Sequence, residues 1–135
     1  MSDAVPDGFA PLRDRGGDFI AANGPLYLKR AADRAVLGLR LEQRHCTPAQ
    51  VAQRGMLIAM VEETMGYTIL EIHGRKAVLA SLTCDALAPT RPGDWVEARC
   101  ETTRIAQDVI FMRGEVSANG QLVLTASALW KLASS

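Results

Sequence analysis

The chain has 135 residues, and its 15 Lys and Arg balance its 15 Asp and Glu to a formal net charge of +0. That length is enough for one domain with its own core, and 48% hydrophobic against 22% charged residues excludes a disordered chain. Zero net charge argues against a strongly basic surface for nucleic acid, and no apolar run approaches the ~20 residues of a membrane helix. We therefore expect neither a nucleic-acid partner nor a membrane partner.

The first 24 residues predict a loosely attached segment at the start of a single domain that comprises residues 1–135. They contain neither the basic nor the apolar region of a secretory signal, so we expect a cytoplasmic location. The pair Gly16 and Gly17 interrupts the short helix that neighbouring apolar residues allow. An Asn-Gly-Pro turn then precedes the first predicted strand.

The stretch from Gly55 to Ile72 predicts the central helix, because it is too long for a strand and rich in helix formers. On a helical wheel, apolar residues cover most of the circumference. The residues left for a narrow polar sector are Thr64, Thr68 and Glu71. Glu62 and Glu63 fall outside that sector, so we expect both carboxylates to lie among apolar side chains. A carboxylate in such surroundings is costly unless it has a partner, which makes both residues functional candidates.

Five strands are predicted around this helix, because apolar residues alternate with polar ones in each of five segments. The segments are 35–42, 77–87, 95–105, 109–118 and 122–132. Short turns such as Asn119-Gly120 join successive strands in antiparallel order. A helix that is apolar on nearly all sides needs a curved sheet around it. The predicted fold is therefore α+β, an antiparallel sheet of about five strands wrapped around one central helix.

Three cysteines, Cys46, Cys84 and Cys100, are too widely spaced for a zinc or thioredoxin-type motif, so we expect no metal site. Cys84 and Cys100 both lie in strand-like alternation, which is typical of small core residues. In the strand of Cys84, the side chains predicted to face the core are Val78, Ala80, Leu82, Cys84 and Ala86.

Two segments carry the pattern of a known family. Residues 45–66, HCTPAQVAQRGMLIAMVEETMG, are similar to a segment with Asn-x-x-Gly-x-x-His-Gly-Gly, an acidic residue seven positions later and a glycine four beyond that. Residues 81–104 contain D-x-L-x-P-x-x-x-G-D, which starts at Asp85. From residue 24 to its end, the chain resembles the hotdog-fold acyl-CoA thioesterases of the phenylacetate-pathway (PaaI-like) type. The resemblance implies an acyl-CoA substrate, with coenzyme A as part of that substrate and no separate cofactor.

The same resemblance assigns the site residues. Gly55, Glu62 and Gly66 keep the family's spacings. Four positions depart from it, with Thr47 in place of Asn, Gln50 in place of Gly, Gln53 in place of His and Arg54 in place of the first Gly. The implied catalytic residues are Glu62, Gly55 and Gln53. The implied substrate-binding residues are Thr47, Gln50, Arg54, Glu63 and Gly66.

The implied chemistry needs donors for the oxyanion and a base or nucleophile beside the thioester carbon. Unpaired N–H groups at the start of the helix suit the oxyanion, and Gln53 can donate a side-chain hydrogen bond. The residues alone leave Glu62 and Glu63 as alternatives for the acid, and the family spacing selects Glu62. Glu62 lies about two turns beyond Gly55, ~10 Å by helix rise, which is too far to serve the same carbonyl.

The resemblance implies a homo-oligomer, a dimer or a dimer of dimers, in which the acid of one subunit faces the helix start of the other. A second interpretation follows from Gln53 and Arg54, which replace the family's His-Gly pair: a non-catalytic hotdog protein that binds an acyl or aromatic ligand. His45 and His73 are isolated, so we expect a solvated or capping role for each. Without a catalytic histidine, the hotdog dehydratases are a poorer match.

Overall fold

The computed structural model of the protein describes residues 4–13 and 16–134. In chain order the elements are β1 (Ala10–Pro11), α1 (Gly17–Asn23), β2 (Tyr27–Arg30), β3 (Ala35–Arg40), α2 (Arg54–Tyr67), β4 (Ala77–Ala86), β5 (Trp95–Ala106), β6 (Val109–Ala118) and β7 (Gln121–Leu132). A 3₁₀ turn at Gln43–His45 precedes α2, and a π-helical turn at Thr68–Ile72 extends it. The predicted central helix is therefore confirmed, with its last turn widened.

The strands form one antiparallel sheet in the order β1-β2-β3-β5-β6-β7-β4. All five predicted strands are present, and the predicted α+β fold is confirmed. The two further strands, β1 and β2, are two and four residues long, too short to show an alternation in the sequence. In this order β4 is an edge strand, although it directly follows the helix.

The core lies between α2 and the sheet. Val61 and Met65 of α2 are fully buried, and they pack against β6 at Gly114, where a Cβ atom would come within 2.8 Å of Val61 Cγ1. The glycine thus permits α2 to approach the sheet closely. From β3, the alternating residues Leu37 and Leu39 are also fully buried, as their alternation predicts.

Two tight turns connect long strands of the sheet or lead into them. Asn119 and Gly120 link β6 to β7 with φ of 53° and 77°, the left-handed values that a two-residue hairpin turn requires. In the turn before β5, the N–H of Arg91 donates to Asp94 Oδ2 at 2.9 Å, and the N–H of Asp94 donates back to Arg91 O.

Four of the five side chains predicted to face the core from β4 are exposed, namely Val78, Ala80, Cys84 and Ala86. The ladder between β4 and β7 shifts between Leu79 and Ser81, so the alternation reverses there and Val78 lies 67% exposed. A similar shift in the ladder between β6 and β7 leaves Leu122 38% exposed. Cys84 is exposed because β4 is the edge strand and no element packs beyond it among the described residues. Bulges and edge positions are properties of the sheet and leave no trace in the alternation.

The N-terminal segment contacts the turn that leads to α2. Arg44 donates to the carbonyl oxygens of Ala22 and Gly24, and His45 Nε2 bonds Asn23 O. Ile20 of α1 is buried in the core. Within the described residues, no helix is long and apolar enough to cross a membrane.

Candidate active site

The start of α2 presents two backbone N–H groups without an acceptor. The Gln53 N–H donates to His45 O, and the Met56 N–H donates to Gln53 O, both at 2.9 Å. None of the described side chains caps this end. Between these bonded groups, the N–H groups of Arg54 and Gly55 have no hydrogen-bond partner in the part of the chain that the structure describes. Both residues are exposed, so an oxygen atom can reach these N–H groups from solvent.

The charge at this helix start favours an anion. The first turn of α2 contains no acidic residue, although acids are favourable at the positive end of a helix dipole. Arg54 adds a positive charge there instead. Together with the open N–H groups, this charge makes the helix start suitable for a developing oxyanion or another anionic group.

The loop before α2 forms a tight turn at the predicted site residues Thr47 and Gln50. The Gln50 N–H donates to Thr47 O at 2.9 Å, and the Thr47 N–H donates to Val51 O at 2.8 Å, which closes a tight turn. Gln50 has φ of 65°, a left-handed conformation that glycine adopts without strain. Gln50, which stands where the family has glycine, therefore adopts this conformation at some cost.

His45, for which the sequence predicts a solvated or capping role, acts as a cap. It is only 3% exposed. Its Nδ1 accepts the Glu42 N–H at 3.0 Å, so Nε2 is the nitrogen that donates to Asn23 O. Through its own carbonyl oxygen, His45 also holds the Gln53 N–H. One buried ring thus joins α1 to the start of α2, a role that an isolated histidine does not reveal in the sequence.

The polar sector predicted for α2 is wrong at two of its three residues, Thr64 and Thr68, whereas Glu71 is exposed. Thr64 and Thr68 face the sheet, with exposures of 0% and 6%. Their hydroxyls donate to the carbonyl oxygens of Met60 and Thr64 one turn earlier, so burial leaves neither unpaired. The side of α2 that faces away from the sheet contains Glu62, which is exposed, and Glu63, which is half-buried.

The expectation that Glu62 lies buried among apolar residues is therefore wrong for the single chain. Along the open side of α2, Glu62 is flanked by small residues, Gly55, Ala59 and Gly66. Gly66 approaches the ring of Trp130, where an added Cβ would be 3.6 Å away. These three small residues lie beside Glu62 on the open side of α2, together with the half-buried Ile58 one turn before it.

The predicted site residues lie in two places. Thr47, Gln50, Gln53, Arg54 and Gly55 cluster around the start of α2. Glu62, Glu63 and Gly66 lie two to three turns further along the same helix. Glu62 lies seven positions after Gly55, about 10 Å along the helix. One chain therefore does not bring Glu62 to its own helix start.

Three further polar or titratable residues, Arg99, His73 and Cys100, make contacts away from the start of α2. Arg99 forms ion pairs with Glu97 at 3.2 Å and Glu115 at 3.8 Å, on the face of the sheet opposite to α2. An open depression of about 1020 Å³ covers that face and contains none of the eight predicted site residues. His73 hydrogen-bonds Thr102 Oγ1 at 2.9 Å on the surface. Burial raises the pKa of the Cys100 thiol, which packs against Thr68. Cys100 thus remains a protonated, structural thiol.

The comparison with protein families defines the class. Residues 51–125 match the model of the thioesterase superfamily, so the chain belongs to that superfamily, and its architecture is the hotdog fold. It is 28% identical over 131 residues to a Pseudomonas aeruginosa protein, PA0474, whose name proposes an esterase. That alignment covers 95% of this chain and 97% of the relative.

Solved structures agree with this assignment. A mutant of the phenylacetic acid degradation protein PaaI from Thermus thermophilus superposes with a TM-score of 0.76 at 25% identity, over 84% of this chain and 96% of that one. Escherichia coli PaaI gives 0.78 at 18% identity, over 87% and 86%. A hypothetical thioesterase from Streptococcus pneumoniae, solved with coenzyme A, gives 0.74 at 14% identity, over 78% and 84%. The chain is PaaI-like, as its motifs indicate.

Proposed function

We propose that the protein is an acyl-CoA thioesterase that hydrolyses its substrate at the start of α2. The observation that carries the proposal is the pair of open N–H groups at Arg54 and Gly55 beside an exposed loop. Membership of the thioesterase superfamily supports this choice of reaction. The coenzyme A bound to the Streptococcus pneumoniae relative supports coenzyme A as the carrier of the acyl group.

The two N–H groups donate to the thioester carbonyl oxygen and stabilise the negative charge that develops on it. Glu62 takes a proton from a water molecule, whose oxygen adds to the carbonyl carbon. The tetrahedral intermediate then collapses, the carbon–sulfur bond breaks, and the thiolate of coenzyme A leaves with the proton that Glu62 took from the water. Gln53, exposed beside the helix start, offers its side-chain amide as a further donor to the carbonyl oxygen.

The proposal requires two chains for each site. Glu62 is about 10 Å from the donors of its own helix, so the acid that serves them belongs to a second subunit. β4 is an edge strand of ten residues whose outer edge has no strand partner among the described residues. Such an edge is a template for pairing with another chain. Two β4 strands paired antiparallel about a two-fold axis place both α2 helices on one face, running in opposite directions. The start of one helix then lies beside the later turns of the other.

The test is a panel of acyl-CoA substrates with detection of free thiol, together with light scattering at micromolar concentration. We expect thiol release from at least one substrate and a mass of at least two 14.6 kDa chains. A monomer that hydrolyses a substrate would contradict the shared site. An oligomer that hydrolyses none would contradict the thioesterase assignment.

A second candidate is a non-catalytic protein that binds an acyl or aromatic ligand. The observation in its favour is Arg54, whose side chain occupies a position that the family leaves open as glycine. Thermal stabilisation by an acyl-CoA without any thiol release is the result that would favour this candidate.

A further inference from the structure

Four charged side chains of alternating sign form a square on the outer face of the sheet, the face opposite to α2. They belong to the neighbouring strands β5 and β6, whose ladder places Arg99 opposite Glu115 and Glu101 opposite Arg113. Along each strand the sign changes again, from Arg99 to Glu101 and from Arg113 to Glu115. All four lie on the outer face because Gly114, between Arg113 and Glu115, faces α2. We call these four residues the charged square.

Much of this charge is available to a second molecule. Arg99 and Glu115 approach each other to only 3.8 Å, and their side chains are 42% and 44% exposed. Glu101 and Arg113 are exposed, and neither forms an ion pair with another described residue. Exposed ion pairs within one chain add little to its stability, so the fold alone does not account for this arrangement.

The charged square is complementary to a second copy of itself. When two sheets pack face to face with aligned strands, the two-fold axis between them is either parallel or perpendicular to the strands. A parallel axis between β5 and β6 brings Arg99 against the partner's Glu115 and Glu101 against the partner's Arg113. A perpendicular axis brings Arg99 against the partner's Glu101 and Arg113 against the partner's Glu115. Every base meets an acid in both cases, whereas a square with bases on one strand and acids on the other would match for one axis only.

Apolar side chains border the charged square on the same face. Phe111 lies two positions before Arg113 on β6 and is 41% exposed, and Leu122 of β7, opposite Ser117, is 38% exposed. From β3 to β4 the face is five strands wide, about 24 Å, and it extends about 20 Å along β6 from residue 111 to residue 117. Two copies in contact would bury about 1,000 Å² in total, which is enough for a specific interface.

We propose that the outer face of the sheet is a second interface between copies of this chain, in which the charged square of one copy meets that of another. Opposite charges at the four positions set the register of the contact, and the bordering apolar residues exclude water from it. The contact leaves α2 and the edge of β4 free. Two dimers paired through β4 therefore join into a tetramer through their outer faces.

The test is the molar mass of the wild type and of Arg113→Glu in solution, measured by light scattering over a range of concentrations. The substitution brings two acids together at two symmetry-related positions, so we expect the dissociation constant of the contact to rise about 100-fold or more. The mass is expected to fall by half, from four chains of 14.6 kDa to two. Arg75→Glu, the same change at an exposed residue in the turn before β4, is the control and is expected to keep the wild-type mass.

Two double variants test whether the charges themselves pair. Glu101→Arg with Arg113→Glu exchanges the charges across the ladder, which restores complementarity only for an axis parallel to the strands. Arg113→Glu with Glu115→Arg exchanges them along β6, which restores it only for the perpendicular axis. We expect one of the two variants, and not the other, to regain the wild-type mass. Circular dichroism establishes that each variant remains folded.

An unchanged mass in Arg113→Glu, or a monomeric wild type, would overturn the second interface and leave the outer face to solvent or to a different partner. Equal behaviour of the two double variants would also overturn it. Thiol release by Arg113→Glu is expected to stay at the wild-type level, because the contact lies away from α2. Failure of the interface changes the mass result alone, whereas failure of the proposed function changes thiol release alone.

Discussion

Arg54 allows a direct test of a backbone donor, because proline can replace it without loss of the helix. It is the first residue of α2, a position that favours proline, and Gln53 before it has the extended backbone (φ −61°, ψ 124°) that a following proline requires. Arg54→Pro removes only the N–H and the side chain. We expect kcat to fall about 10²–10³-fold, the cost of losing one oxyanion donor.

The controls for this change are Arg54→Ala and Arg54→Gly, which keep the N–H. We expect both to lose far less kcat than the proline variant, because they lose only the charge of the side chain. The glycine variant is expected to accept bulkier acyl groups if the arginine side chain narrows the cleft. Circular dichroism establishes that all three variants remain folded. Equal losses in the proline and alanine variants would assign the effect to the side chain and refute the backbone donor.

Cys100 gives a prediction from its raised pKa. Burial disfavours its thiolate, so the group contributes to stability below the ordinary thiol pKa of 9.0 and loses that contribution as the pH rises through its higher folded value. At pH 8 we expect slow alkylation of Cys100 and fast alkylation of the exposed Cys84. Mass spectrometry of the native protein over time measures both rates. Equal rates in the native protein would contradict this account.

At the residue scale, the family spacing identified the residues around the helix start, while their surroundings required the structure. Thr64 and Thr68 look polar in the sequence, but each satisfies its hydroxyl within the helix and is buried. The sequence predicts apolar surroundings for Glu62, but in the structure Glu62 is exposed on the side of α2 that faces away from the sheet. Helical periodicity gives the angle between two residues and does not state which angle faces the sheet.

At the scale of elements, the approach of α2 to the sheet depends on Gly114 of β6. Gly114→Ala places a Cβ within 2.8 Å of Val61 and 3.0 Å of Met65, so we expect the free energy of unfolding to fall by about 1–3 kcal/mol. In Gly66→Ala, within α2, the added Cβ meets only the ring of Trp130 at 3.6 Å. We therefore expect this change to raise the free energy of unfolding by up to about 1 kcal/mol. Urea denaturation measures both, and a loss in Gly66→Ala as large as that in Gly114→Ala would contradict the packing described here.

The five long strands were predictable because each alternates over six residues or more, and the helix because its segment is too long for a strand and rich in helix formers. β1 and β2 are too short for that, and the bulge at Ala80 reverses the alternation within β4. The edge position of β4 depends on strand order, which short turns fix only between successive strands. Only the assembled sheet reveals that order.

At the scale of the whole molecule, a shared site predicts complementation. Arg54→Pro and Glu62→Gln homo-oligomers are each expected to be inactive, but a heterodimer of the two contains one site with intact donors and an intact acid. We expect co-expression with two different affinity tags to recover about half of the wild-type kcat for each dimer, since a two-fold dimer has two equivalent sites. Inactive heterodimers would place the donors and the acid of each site in the same chain.

The central claim is that Glu62 is the base for thioester hydrolysis, and kcat of Glu62→Gln against Glu63→Gln tests it most directly. Glutamine keeps the size and hydrogen-bonding capacity of the side chain but removes the base. We predict a loss of about 10²–10⁴-fold in kcat for Glu62→Gln, with substrate binding retained, and little change for Glu63→Gln. Wild-type kcat in Glu62→Gln, or a loss in Glu63→Gln alone, would contradict the account.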